Sequence, residues 1–465
     1  MKKKTSAPAK GKKKIVLQED WQLIHPHAAG LDIGSREHWA CVPASCGPKN
    51  VRPFGTFTAD LHALSAWLKE CGIQTVAMEA TGVYWIPVFQ ILERAGFQVL
   101  LVNSRQTKNV AGRKSDLLDC QWIQRLHTYG LFQGSFRPAD AYCVLRAFLR
   151  YRDELVSARS GQVQHMQKAL QQMNLQLTQV LTNIAGASGL AILGAILEGE
   201  RDPAKLLRLV DKRVKASHLQ IEKALRGDYR PEHLFVLRCA FDLYHTYEAK
   251  IALCDEQIVA ASAQLPARPA AAAQALPPRK EGRPACLDKM AGVDLREELY
   301  LKMGVDLTAI EGIGVATALV VFTEVGPDVS RFPSEKHFAS WLGLCPDTRI
   351  SGGKVLSSRT RKVINRLSDA LRVAATSLER SQSALGAYYR KKKARLGAAE
   401  GVTATAHKLA RIIYRLIQHG ETYTRQGMED YEQQFRDRKL QALKKTAAHM
   451  GFNLLPAQTL PEGVS

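Results

Sequence analysis

Hydrophobic positions divide this chain into an N-terminal part with short strand-like runs and a longer part with helical spacing. Five β-prone runs follow Ala29, broken by Gly, Pro and Asn, and they cover residues 30–34, 38–42, 51–58, 75–78 and 98–102. Residues 61–71 and 84–95 instead place apolar side chains three and four positions apart, which is typical of amphipathic helices. The pattern predicts the order βββαβαβ, followed by a helix over about 115–126, and therefore an α/β domain over 29–135.

The middle of the chain contains two long stretches in which apolar residues keep helical spacing. Apolar residues from about Tyr142 to Leu181 keep near-helical spacing, with Gln and Arg between them, and one long helix is the simplest interpretation. A second periodic stretch, from Leu234 to Ile258, could pack antiparallel on it as a helical spacer or a dimerisation stalk, although ordinary core packing also accounts for the pattern. We therefore expect a helical coiled-coil segment over 140–264.

Composition marks the remaining boundaries. Residues 1–28 begin with a lysine-rich, apolar-poor stretch, which favours a basic disordered arm. Residues 265–290 are rich in Ala and Pro at their start, which is typical of a linker. We expect a mostly helical domain over 300–425 and a tail over 426–465 that is loosely ordered after Gln441.

Charge points to a polyanionic partner. The 465 residues include 65 Lys and Arg against 44 Asp and Glu, a formal net charge of +21. The basic residues cluster: residues 2–14 hold seven lysines and no acid, residues 354–366 hold five basic residues and no acid, and four more follow at 390–393. Nucleic acid is the expected partner, and a solvated basic surface is the alternative.

Other compositional features exclude several protein classes. With 46% hydrophobic residues the chain is not globally disordered, and its nine cysteines form no CxxC pair, which favours reduced thiols over disulfides or structural zinc. No run of 18 apolar residues occurs, and the N-terminus lacks the apolar stretch of a signal peptide. We expect a soluble cytoplasmic protein with no membrane partner.

Two carboxylates occupy positions where burial is costly. Asp32 lies within an apolar strand, and Glu79 directly follows the strand over 75–78. An unpaired buried carboxylate needs a neutralising cation, and a divalent metal would supply one. Asp116 and Asp119 share one face of the next predicted helix and could join them, which suits oxygen-ligated Mg²⁺. Alternatively, these two residues are ordinary acids at a helix N-terminus.

The order of strands and helices, with acids on the first strand, the fourth strand and a terminal helix, is similar to the ribonuclease H fold in its Holliday-junction-resolvase (RuvC-like) variant. Fold likeness alone leaves the function open.

Two further motifs lie in the C-terminal part. Gly312-Ile313-Gly314 joins two short apolar stretches and resembles a helix-hairpin-helix, whose turn can grip phosphate through backbone N–H groups; a plain helix connection is the alternative. Ser351 precedes two glycines and is followed by basic residues that could hold a phosphate while the serine attacks it. A polar turn with an exposed serine is the alternative. The basic residues concerned are Lys354, Arg359, Arg361 and Lys362.

Five motifs resemble the DEDD transposases of the insertion-sequence 110 family. They are GLDIGS at 30–35, MEATGVYW at 78–85, KSDLLD at 114–119, IEGIG at 310–314 and FASWLGLCPDTRISGGK at 338–354. The resemblance implies an acidic tetrad of Asp32, Glu79, Asp116 and Asp119, and a nucleophilic serine at Ser351, with Ser357 and Ser358 as nearby competitors. The long middle segment and the Ala/Pro linker depart from the family pattern.

The same resemblance implies a function and its partners. It implies a bacterial, nucleoid-associated recombinase that moves its own element between donor and target DNA, guided by a structured noncoding bridge RNA. It also implies Mg²⁺ or Mn²⁺ at the tetrad and a homo-oligomer, a dimer or a tetramer. Contacts with nucleic acid are expected from the basic residues and glycines named above and from Arg113 and Lys114.

Two other functions remain open from the residues. A metal-only nuclease of the Holliday-junction-resolvase type would use activated water, leaving Ser351 as a turn residue. A non-catalytic scaffold for RNA or DNA would keep the acids only as a structural ion site. A covalent protein–DNA adduct separates the recombinase from the nuclease, and a cleavage assay with and without Mg²⁺ separates both from the scaffold.

Overall fold

The computed structural model describes residues 22–107, 116–268, 275–276, 278 and 288–453. The predicted arm and the predicted linker lie mostly outside these residues, and Arg113 and Lys114 lie wholly outside them. The chain divides into two compact units, residues 1–137 and 138–465, which are described one at a time below.

A mixed five-stranded sheet forms the centre of the first unit. Its strands are β1 (Ala28–Ile33), β2 (Glu37–Cys41), β3 (Val51–Gly55), β4 (Thr75–Glu79) and β5 (Gln98–Val102). They lie in the order β3-β2-β1-β4-β5, with β1, β4 and β5 parallel and β2 antiparallel to both of its neighbours. The predicted order βββαβαβ is confirmed, and the mixed sheet with its flanking helices is consistent with a DEDD, ribonuclease H-like domain.

Helices cover this sheet. They are α1 (Thr58–Glu70), α2 (Trp85–Arg94), α3 (Ser104–Thr107) and α4 (Asp116–Thr128). Leu31, Leu64, Met78 and Leu92 are fully buried between sheet and helices. The strand predicted to run as far as Thr58 was too long, because Asp60 accepts a hydrogen bond from the Phe57 N–H at 3.2 Å and so starts α1 at Thr58.

The second unit begins with an antiparallel pair of long helices. They are α5 (Asp140–Gln172) and α10 (Pro231–Ala263), each 33 residues long. Ion pairs join Arg152 to Asp255 and Arg159 to Glu248, and this reversed order along the two helices shows that they run antiparallel. The single helix predicted through Leu181 was wrong, because Asn174 adopts a left-handed φ of +55° just after α5 ends.

Four short helices connect the far ends of this pair: α6 (Leu177–Val180), α7 (Ala187–Leu197), α8 (Pro203–Leu207) and α9 (His218–Ala224). They share a core with the ends of the long helices, in which Leu170, Leu193 and Leu237 are fully buried. We call α6 to α9 the cap. The sequence pattern did not predict it.

The C-terminal part is mostly helical, as expected. It contains β6 (Lys289–Met290), β7 (Val293–Asp294), α11 (Leu295–Met303), α12 (Val315–Glu324), α13 (Glu335–Trp341), β8 (Arg349–Ser351), β9 (Lys354–Ser357), α14 (Arg366–Ser377), α15 (Ala384–Leu396) and α16 (Ala398–His449). Gly420 interrupts α16 with a φ of +81°. The loosely ordered tail expected after Gln441 was wrong as far as His449, where the helix ends.

A carboxylate ties this part to α5. Glu324, at the end of α12, pairs with Arg146 at 3.1 Å and with Arg150 at 2.9 Å. Because Glu324 is nearly buried, loss of either arginine would leave its charge poorly compensated. Among the described residues, no helix is long and apolar enough to cross a membrane.

Candidate functional site: an acidic sheet edge and a serine hairpin

Asp32 and Glu79 lie at the same edge of the first unit's sheet. The parallel strands β1 and β4 pair Leu31 with Met78, and each acid follows directly after its member of that pair. Carboxyl ends of neighbouring parallel strands meet at one edge, so the fold places both carboxylates there. Both residues are half-buried, whereas the side chains before them, Leu31 and Met78, are fully buried.

The helix α4 brings the other two acids towards this edge. Asp116 and Asp119 lie in its first turn. The helix packs closely on β1 because Gly30 has no side chain: an added Cβ would lie 2.2 Å from the backbone nitrogen of Gln124 and 2.6 Å from the carbonyl oxygen of Cys120. Gly30 thus allows the backbone contact that holds α4, and its acids, beside Asp32.

Electrostatics show that the other three acids act on Asp32. Burial and the charges of Asp116, Asp119 and Glu79 raise the pKa of Asp32 to about 6. The first cause is desolvation of the carboxylate, and the others are repulsion by like charges. The charges of the other three predicted residues therefore reach Asp32.

The donor set suits a hard divalent cation, because it offers carboxylate oxygens and a site where negative charge accumulates. Among the described residues, however, no three side chains of His, Cys, Asp or Glu already converge as a metal cluster. The metal site stays a prediction, and so does the assignment of the four residues as ligands.

Sequence reasoning missed two residues at this edge. Thr107, at the end of α3, donates a hydrogen bond from its hydroxyl to the Glu79 Oε2 at 2.8 Å, which fixes one carboxylate oxygen and its orientation. Cys120 is fully buried on α4, and its contact with the Cys41 thiol, burial and the nearby Asp32 raise its pKa, so it remains a neutral thiol. Only three-dimensional contact identifies either residue, since neither belongs to a recognisable spacing pattern.

Ser351 lies in the second unit, at the tip of the hairpin formed by β8 and β9. We call residues 349–357 the serine hairpin. Ser351 pairs with Lys354 across a two-residue turn, in which Gly352 and Gly353 have φ values of +54° and +76°. Positive φ at both central positions is the requirement of a type I′ turn, which explains the two glycines. The Ser351 side chain is exposed.

The competing serines differ in their surroundings. Ser357 is half-buried at the base of the serine hairpin, and its hydroxyl accepts a hydrogen bond from the Arg359 N–H at 3.3 Å. Ser358 is exposed but lies outside both strands. Only Ser351 is at the hairpin tip beside a lysine, although this placement does not test which serine reacts.

The predicted phosphate-binding residues also differ. Lys354, Arg359 and Lys362 are exposed. Arg361, also exposed, donates a hydrogen bond to the Ser340 hydroxyl at 3.1 Å and so helps to fix the chain that follows the serine hairpin to α13. The nearby Arg366 pairs with Asp153 of α5 at 2.8 Å. Arg361 and Arg366 of this basic cluster therefore also stabilise the fold of the second unit.

The glycine turn at 312–314 is followed by a helix, α12, but no α-helix leads directly into it. The segment before it forms a single 3-10 turn, Leu307–Ala309, because the Asp306 carboxylate accepts a hydrogen bond from the Thr308 N–H at 2.9 Å. Gly312 has a φ of +85°, and an added Cβ would lie 3.1 Å from the Ala374 carbonyl oxygen of α14. Backbone conformation and packing thus account for Gly312, and phosphate binding by Gly312 and Gly314 stays a prediction.

Comparisons with known proteins match both units. Residues 29–175 match a family model described as a transposase of the DEDD, IS110 type, and residues 306–390 match one described as a transposase of the IS116/IS110/IS902 family. The uncharacterized 43.6 kDa protein of insertion element IS110 from Streptomyces coelicolor is 31% identical over 122 residues. The protein y4pF/y4sB of Sinorhizobium fredii, named as a transposase, is 36% identical over 127 residues.

The matched segments cover 29% and 32% of the lengths of these two relatives, and 25% of this chain in each case. The two family models match in separate segments that contain Asp32 and Glu79 in the first and Ser351 in the second. Two separate segments of this chain are thus similar to transposases of the IS110 type (IS116/IS110/IS902).

Proposed function

We propose that this protein is a DNA recombinase of an insertion sequence, which cuts and rejoins DNA through a covalent bond between Ser351 and the DNA. The observation that carries the proposal is the grouping of Glu79, Asp116 and Asp119 around Asp32, whose pKa they help to raise. The exposed serine at the tip of a basic hairpin supports it. Both features fall within the segments that match transposase families.

The four carboxylates of the acidic edge would hold Mg²⁺ or Mn²⁺. Bound there, the cation would supply charge stabilisation for a phosphodiester undergoing substitution. Asp32 and Glu79 provide ligands from the sheet, and Asp116 and Asp119 provide them from α4. Thr107 holds one oxygen of Glu79 by a hydrogen bond and so orients this carboxylate. Deprotonation of Asp32 near pH 6 prepares the site for a cation at neutral pH.

Ser351 would act as the nucleophile. Its hydroxyl oxygen loses its proton to solvent and forms a bond to phosphorus, the bond from phosphorus to one deoxyribose oxygen breaks, and that oxygen takes up a proton from solvent. The energy of the phosphodiester is retained in the phosphoserine, so reversal of the step with a different strand end rejoins DNA without ATP. Lys354, its cross-strand neighbour, and Arg359 would hold the phosphate oxygens.

The partners follow from the charge. A net charge of +21 suits simultaneous contact with donor DNA, target DNA and a bridge RNA through their phosphates. Arg361, Lys362 and the turn at Gly312 and Gly314 would add contacts to the backbone. The active form would be a homo-oligomer, a dimer or a tetramer, in which the antiparallel helices α5 and α10 act as a coiled-coil spacer.

A metal-only nuclease is the second candidate, because all four acids lie in one compact unit and Ser351 lies in the other. In that case water would attack the phosphodiester, and the serine hairpin would only bind DNA. The two functions differ in one product, the covalent adduct.

A suicide substrate distinguishes them. A nicked duplex carrying the end of the element releases a short fragment when cut, which traps a phosphoserine adduct that can be seen on a denaturing gel. We expect an adduct with the wild type and with Ser358→Ala, and none with Ser351→Ala. Cleavage without an adduct would support the nuclease, and an adduct that disappears only with Ser357→Ala or Ser358→Ala would move the nucleophile.

A further inference from the structure

The serine hairpin has two chemically different sides. Its register pairs Ile350 with Val355 and, at the next position, Ser351 with Lys354. Successive side chains of a strand point to opposite sides, so the first pair and the second pair lie on opposite sides of the hairpin. One side carries the proposed nucleophile and a cation, and the other carries two adjacent β-branched apolar side chains. Leu356, which is 69% exposed, lies at the register shift of the hairpin, between Val355 and Ser357.

Both side chains of this apolar pair are largely exposed. Ile350 is 63% exposed and Val355 is 62% exposed, and no residue of β8 or β9 is buried. A two-stranded hairpin is at best marginally stable alone in water, and exposed apolar side chains add nothing to its stability. Two adjacent apolar side chains at the tip therefore indicate a surface that a partner covers.

Charge indicates which partner covers it. Arg349 and Lys354 lie on the serine hairpin, Arg359 follows it by two residues, and Asp347 is the only acid between Pro346 and Arg366. An apolar patch within such a basic segment suits a ligand that has apolar faces between rows of anions. Duplex DNA has this construction, with base edges and thymine methyl groups between two phosphate backbones, and its major groove accepts a two-stranded β-ribbon.

We propose that the serine hairpin enters a groove of duplex DNA with Ile350 and Val355 against the bases beside the cleaved phosphodiester. The inference rests on the proposed function of Ser351 and extends it. Apolar contact with the bases holds the hairpin at a fixed depth, and this depth sets where the tip meets the backbone. Ile350 and Val355 are therefore positioning residues, because they act on the reaction through the placement of Ser351.

The test compares two kinds of contact by their response to salt. The double variant Ile350→Thr/Val355→Thr keeps β-branched side chains and the tendency to form strands but removes the apolar pair. Full-length protein is titrated into a labelled duplex of the element's end at several salt concentrations, with the transcript that flanks its gene present throughout. We expect binding at least tenfold weaker with an unchanged slope of log K against log salt, since no phosphate contact is lost.

Three control variants define the result. Val373→Thr makes the same change at a side chain that is 70% exposed on α14, outside the serine hairpin, and should bind as the wild type does. Ile350→Val should retain most of the affinity. Lys354→Gln should reduce the magnitude of the slope by about one, as expected for a lost phosphate contact.

Two outcomes would overturn the inference. One is unchanged affinity of the double variant for the duplex. The other is a lower mass of the double variant in light scattering without DNA, because the apolar side would then join two copies of the chain. The adduct assay is independent of both: if the wild type forms the adduct while the double variant binds normally, the recombinase proposal stands and the base contact fails. If no adduct forms but the double variant binds weakly with an unchanged slope, the recombinase proposal fails and the base contact stands.

Discussion

Asp32 lies at the end of a central strand, between two neighbouring strands and under a helix, whereas Ser351 lies at the tip of a hairpin without one buried residue. The fold surrounds the acid so closely that its carboxylate ionises only near pH 6. Nothing comparable acts on the serine hairpin, whose turn glycines have open space around them. The fold thus holds Asp32 in place before any ligand binds, and the hairpin must gain its surroundings from a partner.

This difference separates two ways of holding a functional group. Three acids repel an ionised Asp32, and the sheet with its overlying helix holds Asp32 in place against that repulsion. A serine nucleophile carries no charge and needs access to DNA more than it needs support. Substitutions at the two places should therefore have different effects on stability, even where both abolish activity.

Asp32→Asn should show the largest difference between its effect on DNA cleavage and its effect on stability. DNA cleavage should fall by orders of magnitude, because the amide is a much weaker metal ligand than the carboxylate. Stability without metal should rise at pH 7. The folded pKa of about 6 exceeds the ordinary 3.8, so the wild type loses stability as the pH rises from about 4 to about 6, and the variant does not.

Because Asp32 is partly solvated, the gain should be on the order of 1–2 kcal/mol, measured by thermal unfolding in EDTA at pH 7 and pH 4. The advantage of the variant should vanish at pH 4. Ser351→Ala should leave the unfolding transition unchanged at both values, since a small exposed turn residue contributes little. Full activity of Asp32→Asn would remove the acidic edge from the mechanism.

Mixing two inactive variants tests whether the acidic edge and Ser351 act within one chain. The expected effect, a partial recovery of activity, is smaller. Asp32→Asn keeps an intact serine hairpin, and Ser351→Ala keeps an intact acidic edge. If each working site combines two subunits, a mixture of these inactive variants should regain recombination, because mixed oligomers contain one intact composite site. Recombination by unfolded and refolded mixtures is measured against each variant alone. Absence of recovery at every mixing ratio would show that each chain builds its own site.

Glycine substitutions compare the rigidity of the two places directly. Gly30→Ala forces a Cβ to within 2.2 Å of the α4 backbone, so α4 must shift, and we expect a loss of roughly 3 kcal/mol or more in stability. Gly352→Ala meets no atom within 4 Å, and its cost should be about 1 kcal/mol from the positive φ alone. Chemical denaturation of both variants checks this. Equal losses would contradict the close packing of α4 on β1.

The smallest effect is expected at Thr107. Thr107→Val removes the hydrogen bond to Glu79 without changing the side chain's shape, and it should weaken Mn²⁺ binding several-fold because the carboxylate loses its fixed orientation. Isothermal titration with Mn²⁺ measures this without DNA. Thr107→Ser should restore the affinity, and identical affinities of all three proteins would argue that the hydrogen bond does not orient a ligand.

The sequence predicted much of the acidic edge, because strand position follows from local pattern. Asp32 lies one residue before the end of an apolar run and Glu79 directly follows another, and parallel pairing of those runs places them together. Thr107 and the close approach at Gly30 could not be predicted, since both depend on contacts between elements far apart in the chain. The identity of the reacting serine was likewise beyond local pattern, because three serines lie within eight residues.

Helix ends were harder to predict where apolar spacing continues through a turn. Met173, Leu177 and Leu181 prolong the period of α5, yet they pack into the core of the cap after the chain turns at Asn174. The 3-10 turn before Gly312 was missed for a similar reason. There the side chain of Asp306 competes with helical hydrogen bonding, which an apolar pattern does not reveal.

The length of the antiparallel helices α5 and α10 sets the distance between the cap and the C-terminal helices of the same unit. At 1.5 Å per residue, a helix of 33 residues is about 50 Å long, close to the length of about 15 base pairs of B-DNA. The cap is therefore held a fixed, long distance from the C-terminal helices of the same unit. Deleting seven residues from each helix would shorten this distance by about 10 Å while keeping the packed faces in register, so the pair can serve as a ruler of adjustable length.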